Sequence, residues 1–173
     1  TLSFVIGFPD EEREDIDATL TLALQAGIQG NSNLLIQLPT VLPGTELHRR
    51  YGDRLVRTAD TYFSLGLEFD NGRRLEEDNR LIESDPLIFS AFHNPPAGLP
   101  LQELERIAFW FPLIAAVYPK SFLLLSLAIE KSVSALFALF MEYVADGEGR
   151  PEPSLSSADC LRHFPVFSES LLT

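Results

Sequence analysis

The stretch Leu2-Ser3-Phe4-Val5-Ile6-Gly7-Phe8-Pro9-Asp10 decides the fold of this chain. Its apolar part, Leu2–Ile6, lacks polar alternation, which predicts a strand that is buried on both faces. The Gly-Phe-Pro-Asp segment that follows is a turn that prepares a helix, predicted from about Glu12 to Ala26. A second apolar strand is predicted over Leu34–Leu38. A strand, a helix and a strand with short connections form a βαβ unit, whose two strands are parallel.

The predicted helix has a recognisable start, buried face and end. Asp10 is a candidate N-cap, and the acidic residues after it favour the positive end of the helix dipole. Gly27 lies where a left-handed residue would end the helix. The stripe that we expect to be buried consists of Ile16, Leu20, Ala23 and Leu24.

Composition limits the classes of function. The chain has 173 residues, enough for one domain or one domain with a helical appendage. Its formal net charge of −12 argues against broad binding of nucleic acid or anionic lipid. Cys160 is the only cysteine, which excludes an internal disulfide and any zinc or iron–sulfur site built from several thiolates of this chain. A metal site at Cys160 and His163 would need two further ligands, which the sequence does not offer.

The segment after the second strand is less regular. Pro39–Thr45 is a loop rich in turn residues, and Thr45 can cap a short helix, Glu46–Tyr51, that Gly52 closes. The elements predicted further along are a strand within residues 62–69, a polar-faced helix over Arg73–Ser84, and a short helix from Pro86 to about Phe92.

Beyond a linker at residues 93–100, the apolar period is that of helices. Pro112 is expected to kink or end the first of them, and a mostly apolar helix is predicted from Lys120 to Ala145. Residues 147–157 form a linker, and residues 158–164 resemble the start of an element that the chain does not complete. No membrane span is predicted, because charges and prolines interrupt the apolar residues 107–141 before they reach about 20 uncharged positions. The phenylalanines expected in the core are Phe109, Phe111, Phe122, Phe137 and Phe140.

Two motifs resemble a known family. Phe4-Val5-Ile6-Gly7-Phe8-Pro9-Asp10-Glu11-Glu12, followed by Asp15-Ile16, resembles the "FIIGFPGET…DI" segment of radical S-adenosylmethionine enzymes, especially the branch that often carries an N-terminal cobalamin-binding domain. Gln37-Leu38-Pro39-Thr40-Val41-Leu42-Pro43-Gly44-Thr45-Glu46-Leu47 resembles the "PLPGTxL" loop of that branch. The resemblance implies an α/β fold, the C-terminal part of a partial (β/α) barrel (its last parallel strands) followed by an α-helical extension. It assigns residues 1–72 to the barrel, 73–146 to the extension, and 147–173 to a linker and incomplete tail.

Several positions depart from the family pattern. Asp10 stands where the family has Gly, Glu12 stands where it has Thr, and the pattern G-x-I-x-G-x-x-E appears as Ser3-x-Val5-x-Gly7-x-x-Asp10. The CxxxCxxC loop that holds the family's 4Fe–4S cluster is absent. The chain also begins at Thr1, and its only methionine is Met141. We therefore expect a C-terminal fragment, whose partner is the missing N-terminal half of the same protein.

The carboxyl ends of the two strands are the expected binding site. Ligands of parallel barrels bind at these ends, and the resembling family uses them for the adenosyl part of S-adenosylmethionine. Simpler interpretations remain open: Gly7-Phe8-Pro9 as a strand-to-helix turn, Glu11 as a carboxylate serving the helix dipole, and Pro43-Gly44-Thr45 as a turn plus N-cap. No residue is predicted to be catalytic or to bind a metal. The resemblance implies cofactor contacts by Val5, Ile6, Gly7, Phe8, Pro9, Glu11 and Gln37.

The resemblance implies a cytoplasmic enzyme that cleaves S-adenosylmethionine reductively at a 4Fe–4S cluster, whose ligands lie upstream of this chain. Its radical chemistry would act on a small-molecule or peptide substrate, and a cobalamin bound upstream would add methyl transfer. Binding to nucleic acid or to a membrane is not expected. The alternative is a non-catalytic module, in which residues 101–145 form a helical surface for a protein or peptide and the βαβ unit is a scaffold. A large exposed apolar patch on those helices would favour this alternative.

Overall fold

A computed structural model describes residues 1–30, 33–39, 41–58, 77, 80, 84, 91–93, 98–148 and 157–172. This part of the chain is mixed α/β and mostly helical. The strands are β1 (Leu2–Val5), β2 (Leu34–Gln37), β3 (Val56–Thr58) and β4 (Ala91–His93). The helices are α1 (Arg13–Ile28), α2 (Glu46–Tyr51), a short 3-10 helix (Gly52–Arg54), α3 (Leu101–Val117), α4 (Pro119–Ala128), α5 (Val133–Glu148) and α6 (Ser157–Leu172).

The predicted βαβ unit is confirmed. β1 and β2 are parallel neighbours, joined at their two ends by the bonds from Leu2 N to Asn33 O, 3.1 Å, and from Ile6 N to Gln37 O, 3.0 Å. Among the described residues the sheet consists of these two strands, and no barrel closes around them. The carboxyl ends of both strands therefore lie on the same side of the pair.

The prediction that the first strand is buried on both faces is wrong. Leu2 and Val5 are each 41% exposed, and only Ile6, directly after β1, is fully buried. β2 alternates, with Leu34 and Ile36 buried and Leu35 exposed. An apolar run permits burial on both faces but does not supply the layers that would cover them, and in the described chain β1 has one strand neighbour.

The buried stripe of α1 is confirmed, because Ile16, Leu20, Ala23 and Leu24 have no exposed surface. The two ends of the helix differ from the prediction. α1 begins at Arg13, so Asp10 lies too far upstream to be its N-cap. Gly27 is helical, and the left-handed residue after the helix is Gly30, with φ +93°.

The described chain divides into two compact units. The first comprises Thr1–Phe4, Arg13–Ile36 and Glu105–Thr173, and the second comprises Val5–Glu12 and Gln37–Leu104. In the first unit α1 packs on α4 and α5, and α5 packs on α4 and α6. Its core is aromatic, with Phe111 in edge-to-face contact with Phe122 and Phe137. Phe140 is also buried, as predicted, whereas Phe109 is exposed.

The helical region is divided differently from the prediction. α3 continues through Pro112 to Val117, and the single helix expected over Lys120–Ala145 is two helices, α4 and α5. α4 ends at Ala128 and is followed by a left-handed residue, Glu130 with φ +54°, while Lys131 N donates to Ser126 O. The break contains neither Gly nor Pro, so no helix-breaking residue marked it in the sequence.

The N-terminus of α5 is capped by its own residues and by α1. Ser132 Oγ accepts from Ala135 N at 3.3 Å, and Asp17 Oδ1 accepts from Ser134 N at 2.7 Å. The Asp17 carboxylate therefore satisfies a backbone donor at the positive end of the α5 dipole. This contact fastens α1 to α5 within the first unit.

Ser157–Leu172 form the helix α6, where the sequence suggested only the start of an element. The ring of Phe164 stacks on Tyr118 at 4.8 Å and Phe122 at 5.7 Å between centroids, and it meets Phe140 edge-on. Phe164 and Phe167 are buried. The end of the chain thus contributes aromatic side chains to the core of the first unit.

The second unit contains α2 and a short antiparallel pair, β3 and β4, in which Val56 lies opposite His93. β3 was not predicted from the sequence. The helix predicted to run to about Phe92 is wrong at its end, because Ala91–His93 is β4. The helix predicted over residues 73–84 is represented by Glu77, Arg80 and Ser84, which are helical. The strand predicted within residues 62–69 lies outside the described residues.

No helix of the described chain meets the length and hydropathy needed to cross a membrane by itself. α3 and α4 meet them only when taken together, and they are bent by 103°.

Replacing Gly27 by alanine is expected to destabilise the first unit, although alanine is the better helix former. An added Cβ would lie 2.4 Å from the backbone O of Ala115 and 3.0 Å from Pro119. Alanine gains roughly 0.5–1 kcal/mol of helix propensity, but overpacking against backbone costs about 1–3 kcal/mol. We expect Gly27→Ala to lower the free energy of unfolding by about 1–2 kcal/mol in urea denaturation.

The matched control is Gly147→Ala in α5, where an added Cβ meets nothing within 4 Å. Here the propensity gain is unopposed, so the free energy of unfolding should rise by about 0.5 kcal/mol. If both substitutions stabilise the protein, the close approach of α1 to Ala115 is wrong.

Candidate functional site

The candidate site lies at the carboxyl ends of β1 and β2. The bond from Ile6 N to Gln37 O sets the two ends side by side, and both belong to the second compact unit. The sequence-predicted residues Val5–Glu11 and Gln37 are thereby brought to one edge of the parallel pair. The predictions about their contacts with a cofactor remain predictions.

Gly7 has a conformational reason to be glycine. Its φ of +98° lies in the region that side chains disfavour. The space that a Cβ would enter is filled by protein, with Leu104 Cδ1 at 3.2 Å, Leu38 Cδ2 at 3.5 Å and Pro39 Cδ at 3.6 Å. Gly7 therefore lets the chain turn sharply after the strand while an apolar cluster packs against its Cα.

Glu11 holds this turn from inside. Its Oε2 accepts from Gly7 N and from Phe8 N, the latter at 2.8 Å, and Glu11 N donates to Phe8 O at 3.1 Å. Two adjacent N–H groups that converge on one oxygen form an anion-binding nest, and here the anion is a side chain of the same loop. Glu11 lies before α1, which begins at Arg13. Its carboxylate binds the amides of the turn and not those of the helix.

The remaining predicted residues divide by exposure. Ile6 and Pro9 are buried and support the turn. Val5 and Phe8 are exposed and provide an apolar surface at the strand end. Gln37 is half-buried at the end of β2. Of these side chains, Val5, Phe8 and Gln37 can therefore touch a ligand without a change in the fold.

The loop after β2 is a turn followed by a capped helix, in agreement with the simpler interpretation. Thr45 Oγ1 accepts from His48 N at 3.2 Å and donates to Leu42 O at 2.7 Å, so Thr45 is the N-cap of α2. Gly44 has φ +82°. Arg49 donates to Gly44 O at 3.1 Å and to the Glu46 carboxylate at 2.8 Å, which ties the helix back to its own turn.

Sequence reasoning missed the contact between Asp10 and Tyr51. The Tyr51 hydroxyl donates to the Asp10 carboxylate, with distances of 2.9 Å to Oδ1 and 2.8 Å to Oδ2, and Arg54 lies over the Tyr51 ring at 5.5 Å. The two residues are 41 positions apart, so no local pattern could pair them. The departure at Asp10 from the family pattern was the one available signal that this position does something different.

The bond to Asp10 raises the pKa of Tyr51 above its ordinary value of 10.0, with smaller contributions from desolvation and from the Asp10 charge, while Arg50 and Arg54 act in the opposite direction. A raised folded-state pKa gives stability that is present below pH 10 and is lost as pH rises through the folded-state pKa. We therefore expect the stability advantage of wild type over Tyr51→Phe to be constant from pH 8 to about pH 10 and to shrink above it.

Urea denaturation at each pH measures this difference, and phenolate absorbance of the two proteins identifies the Tyr51 titration. A Tyr51→Phe protein whose stability falls in parallel with wild type through the alkaline range would contradict the contact.

No group of three or more His, Cys, Asp or Glu side chains in the described ranges is arranged to hold a metal ion. Comparison of the chain with protein-family models, with curated proteins and with solved structures finds no match. Inferences about function therefore rest on the motifs and on the geometry at the strand ends.

Proposed function

We propose that this chain is the C-terminal part of a radical S-adenosylmethionine enzyme. The observation that carries the proposal is that both motifs lie at the carboxyl ends of β1 and β2, on the same side of the parallel pair. The Gly-Phe-Pro turn follows β1, the Gln37-Leu38-Pro39 segment ends β2, and the strands are parallel neighbours. Carboxyl ends of parallel strands are where α/β proteins bind their ligands.

In this proposal the exposed residues bind S-adenosylmethionine, and the buried residues support the end of the strand. Val5 and Phe8 offer apolar surface to the adenine of S-adenosylmethionine, and Gln37 offers a polar contact to the adenosyl group or the substrate. Ile6 and Pro9 hold the strand end from the buried side. Gly7 allows the turn through its positive φ, and Glu11 holds it through the two N–H bonds that its carboxylate accepts.

The cluster would be held elsewhere in the parent protein. A 4Fe–4S cluster of this family takes three cysteines, and this chain has Cys160 alone. When bound, the cluster supplies the electron for reductive cleavage of S-adenosylmethionine, and cobalamin would supply methyl transfer from an upstream domain. The contribution of this chain is binding and orientation of the adenosyl group and part of the substrate wall.

The first experiment compares this chain with the parent protein that includes the upstream half. After anaerobic reconstitution, we expect the parent to hold a 4Fe–4S cluster and to cleave S-adenosylmethionine, and the isolated chain to do neither. A stoichiometric cluster spectrum from the isolated chain, or a parent without CxxxCxxC, would overturn the proposal.

A substitution at the strand end tests the binding role. Phe8→Ala should weaken binding of S-adenosylmethionine to the reconstituted parent about tenfold, roughly 1.4 kcal/mol, in calorimetric titration. Leu35→Ala in β2 is the matched control, since Leu35 is 37% exposed and Phe8 is 38% exposed. Both variants should keep the cluster spectrum. Equal affinities of Phe8→Ala and wild type would remove Phe8 from the site.

The helical binding module remains the second candidate, because α4 carries exposed apolar residues. Leu124 and Leu127 are 55% and 66% exposed, and their spacing places them on one face of the helix. Exposed apolar patches mark interaction surfaces when they are large. If this face is the functional surface, Leu124→Ser with Leu127→Ser will abolish binding of a protein partner, and the reconstituted parent will show no affinity for S-adenosylmethionine.

A further inference from the structure

Asp10 and Tyr51 connect the two loops that flank the candidate site. Asp10 lies in the turn after β1, and Tyr51 is the last residue of α2, which follows the loop after β2. The Tyr51 hydroxyl lies within 2.9 Å of both Asp10 carboxylate oxygens. Glu11 and Thr45 each stabilise their own loop, whereas this contact joins one loop to the other.

Both partners of this contact are restricted by other neighbours. Asp10 lies between Pro9, which is buried and has a fixed φ, and Glu11, which is bound to the turn's amides. The Tyr51 ring lies beneath the Arg54 guanidinium. These neighbours restrict Asp10 and Tyr51, which lowers the entropic cost of forming the bond. A hydrogen bond to a carboxylate is also stronger than one between neutral groups.

We propose that Tyr51 is a positioning residue for the candidate site: its bond to Asp10 sets the separation of the turn after β1 from α2, and so the shape of the edge that receives the ligand. The inference deepens the proposed function and rests on it. Tyr51 acts through Asp10 and the Gly7–Pro9 turn and does not itself contact the cofactor. The contact uses the position at which the chain departs from the family's Gly.

Three substitutions separate the hydrogen bond from its surroundings. Tyr51→Phe keeps the ring under Arg54 and removes the donor. Asp10→Ala removes the acceptor, and Asp10→Asn keeps one acceptor oxygen and removes the charge. If the bond is what matters, Asp10→Asn will lie between wild type and Asp10→Ala, because a neutral acceptor keeps a weaker bond. Tyr51→Phe and Asp10→Ala will behave like each other.

The experiment uses the reconstituted parent protein and two readouts. Amide hydrogen exchange is followed by mass spectrometry in peptides covering residues 5–12 and 46–54, and S-adenosylmethionine binding is followed by calorimetry. We expect exchange in both peptides to quicken about fivefold in Tyr51→Phe and Asp10→Ala, and the affinity to fall about fivefold, which corresponds to about 1 kcal/mol. Cluster content should not change.

Each result decides something. Exchange that is unchanged in Tyr51→Phe overturns the inference, and so does an Asp10→Asn protein as impaired as Asp10→Ala. Faster exchange with wild-type affinity overturns the positioning role. Faster exchange in a parent that binds no S-adenosylmethionine, even as wild type, overturns the proposed function and supports the link between the two loops.

Discussion

Gly7→Val is expected to lower the free energy of unfolding by about 3 kcal/mol. A valine at φ +98° costs about 1–3 kcal/mol in backbone strain. Its Cβ would also lie 3.2 Å from Leu104 Cδ1 and close to Leu38 and Pro39, and overpacking of this kind costs about 1–3 kcal/mol. Strain and overpacking both raise the free energy of the folded state. Urea denaturation should therefore detect a large loss in the free energy of unfolding, with an unchanged m-value.

Gly44→Val is the control that separates the two terms. Gly44 also has a positive φ, +82°, but an added Cβ meets nothing within 4 Å. This variant should lose only the strain, about 1–2 kcal/mol. If Gly44→Val costs as much as Gly7→Val, the packing of Leu104 and Leu38 against Gly7 contributes nothing.

The expected instability of Gly7→Val changes how the cofactor proposal should be tested. In the sequence analysis, the family resemblance implied a cofactor contact at Gly7. In the fold the position beside Gly7 is taken by Leu38, Pro39 and Leu104, so weaker binding by a Gly7 variant would report a damaged turn as readily as a lost contact. Phe8→Ala, at an exposed position, is the cleaner probe.

The local elements at the start of the chain were predictable because their signals lie close together in sequence. The apolar run gave β1 nearly to the residue, Thr45 and Gly52 bracket α2, and the buried stripe of α1 follows from its period. These features depend on spacing within one element, which a single sequence states directly.

Features that depend on distant contacts were not predictable in the same way. Exposure of β1 depends on which layers cover it, and the bond from Tyr51 to Asp10 joins residues 41 positions apart. Gly27 was interpreted as a helix end because glycine is common there, but the fold uses it for close approach to Ala115. In each case a local preference was overridden by a neighbour from elsewhere in the chain.

The candidate site shows the same division. The placement of Val5–Glu11 beside Gln37 follows from a parallel βαβ unit and was foreseeable. The division into exposed Val5 and Phe8 and buried Ile6 and Pro9 was not, because all four are apolar or turn-forming residues in one run. For Glu11 the sequence left a cofactor contact and a helix-dipole role open, and neither indicated the bonds that it accepts from the amides of Gly7 and Phe8.

Phe164→Ala is expected to lower the free energy of unfolding by about 3–4 kcal/mol, because it removes a buried ring from the aromatic core. Phe164 contacts Tyr118 between α3 and α4, Phe122 in α4, Phe140 in α5 and Phe167 in α6. The sequence suggested a linker and an incomplete tail over residues 147–173. The packing of Phe164 instead makes α6 part of the cooperative unit.

Val166→Ala, in the same helix, is the matched control, since Val166 is exposed and its truncation should change the free energy of unfolding by no more than about 0.5 kcal/mol. Urea denaturation followed by near-ultraviolet and far-ultraviolet circular dichroism compares the two variants, and both signals should report one transition. A loss below about 1 kcal/mol for Phe164→Ala, or a helix signal that melts separately, would mean that α6 is an appendage.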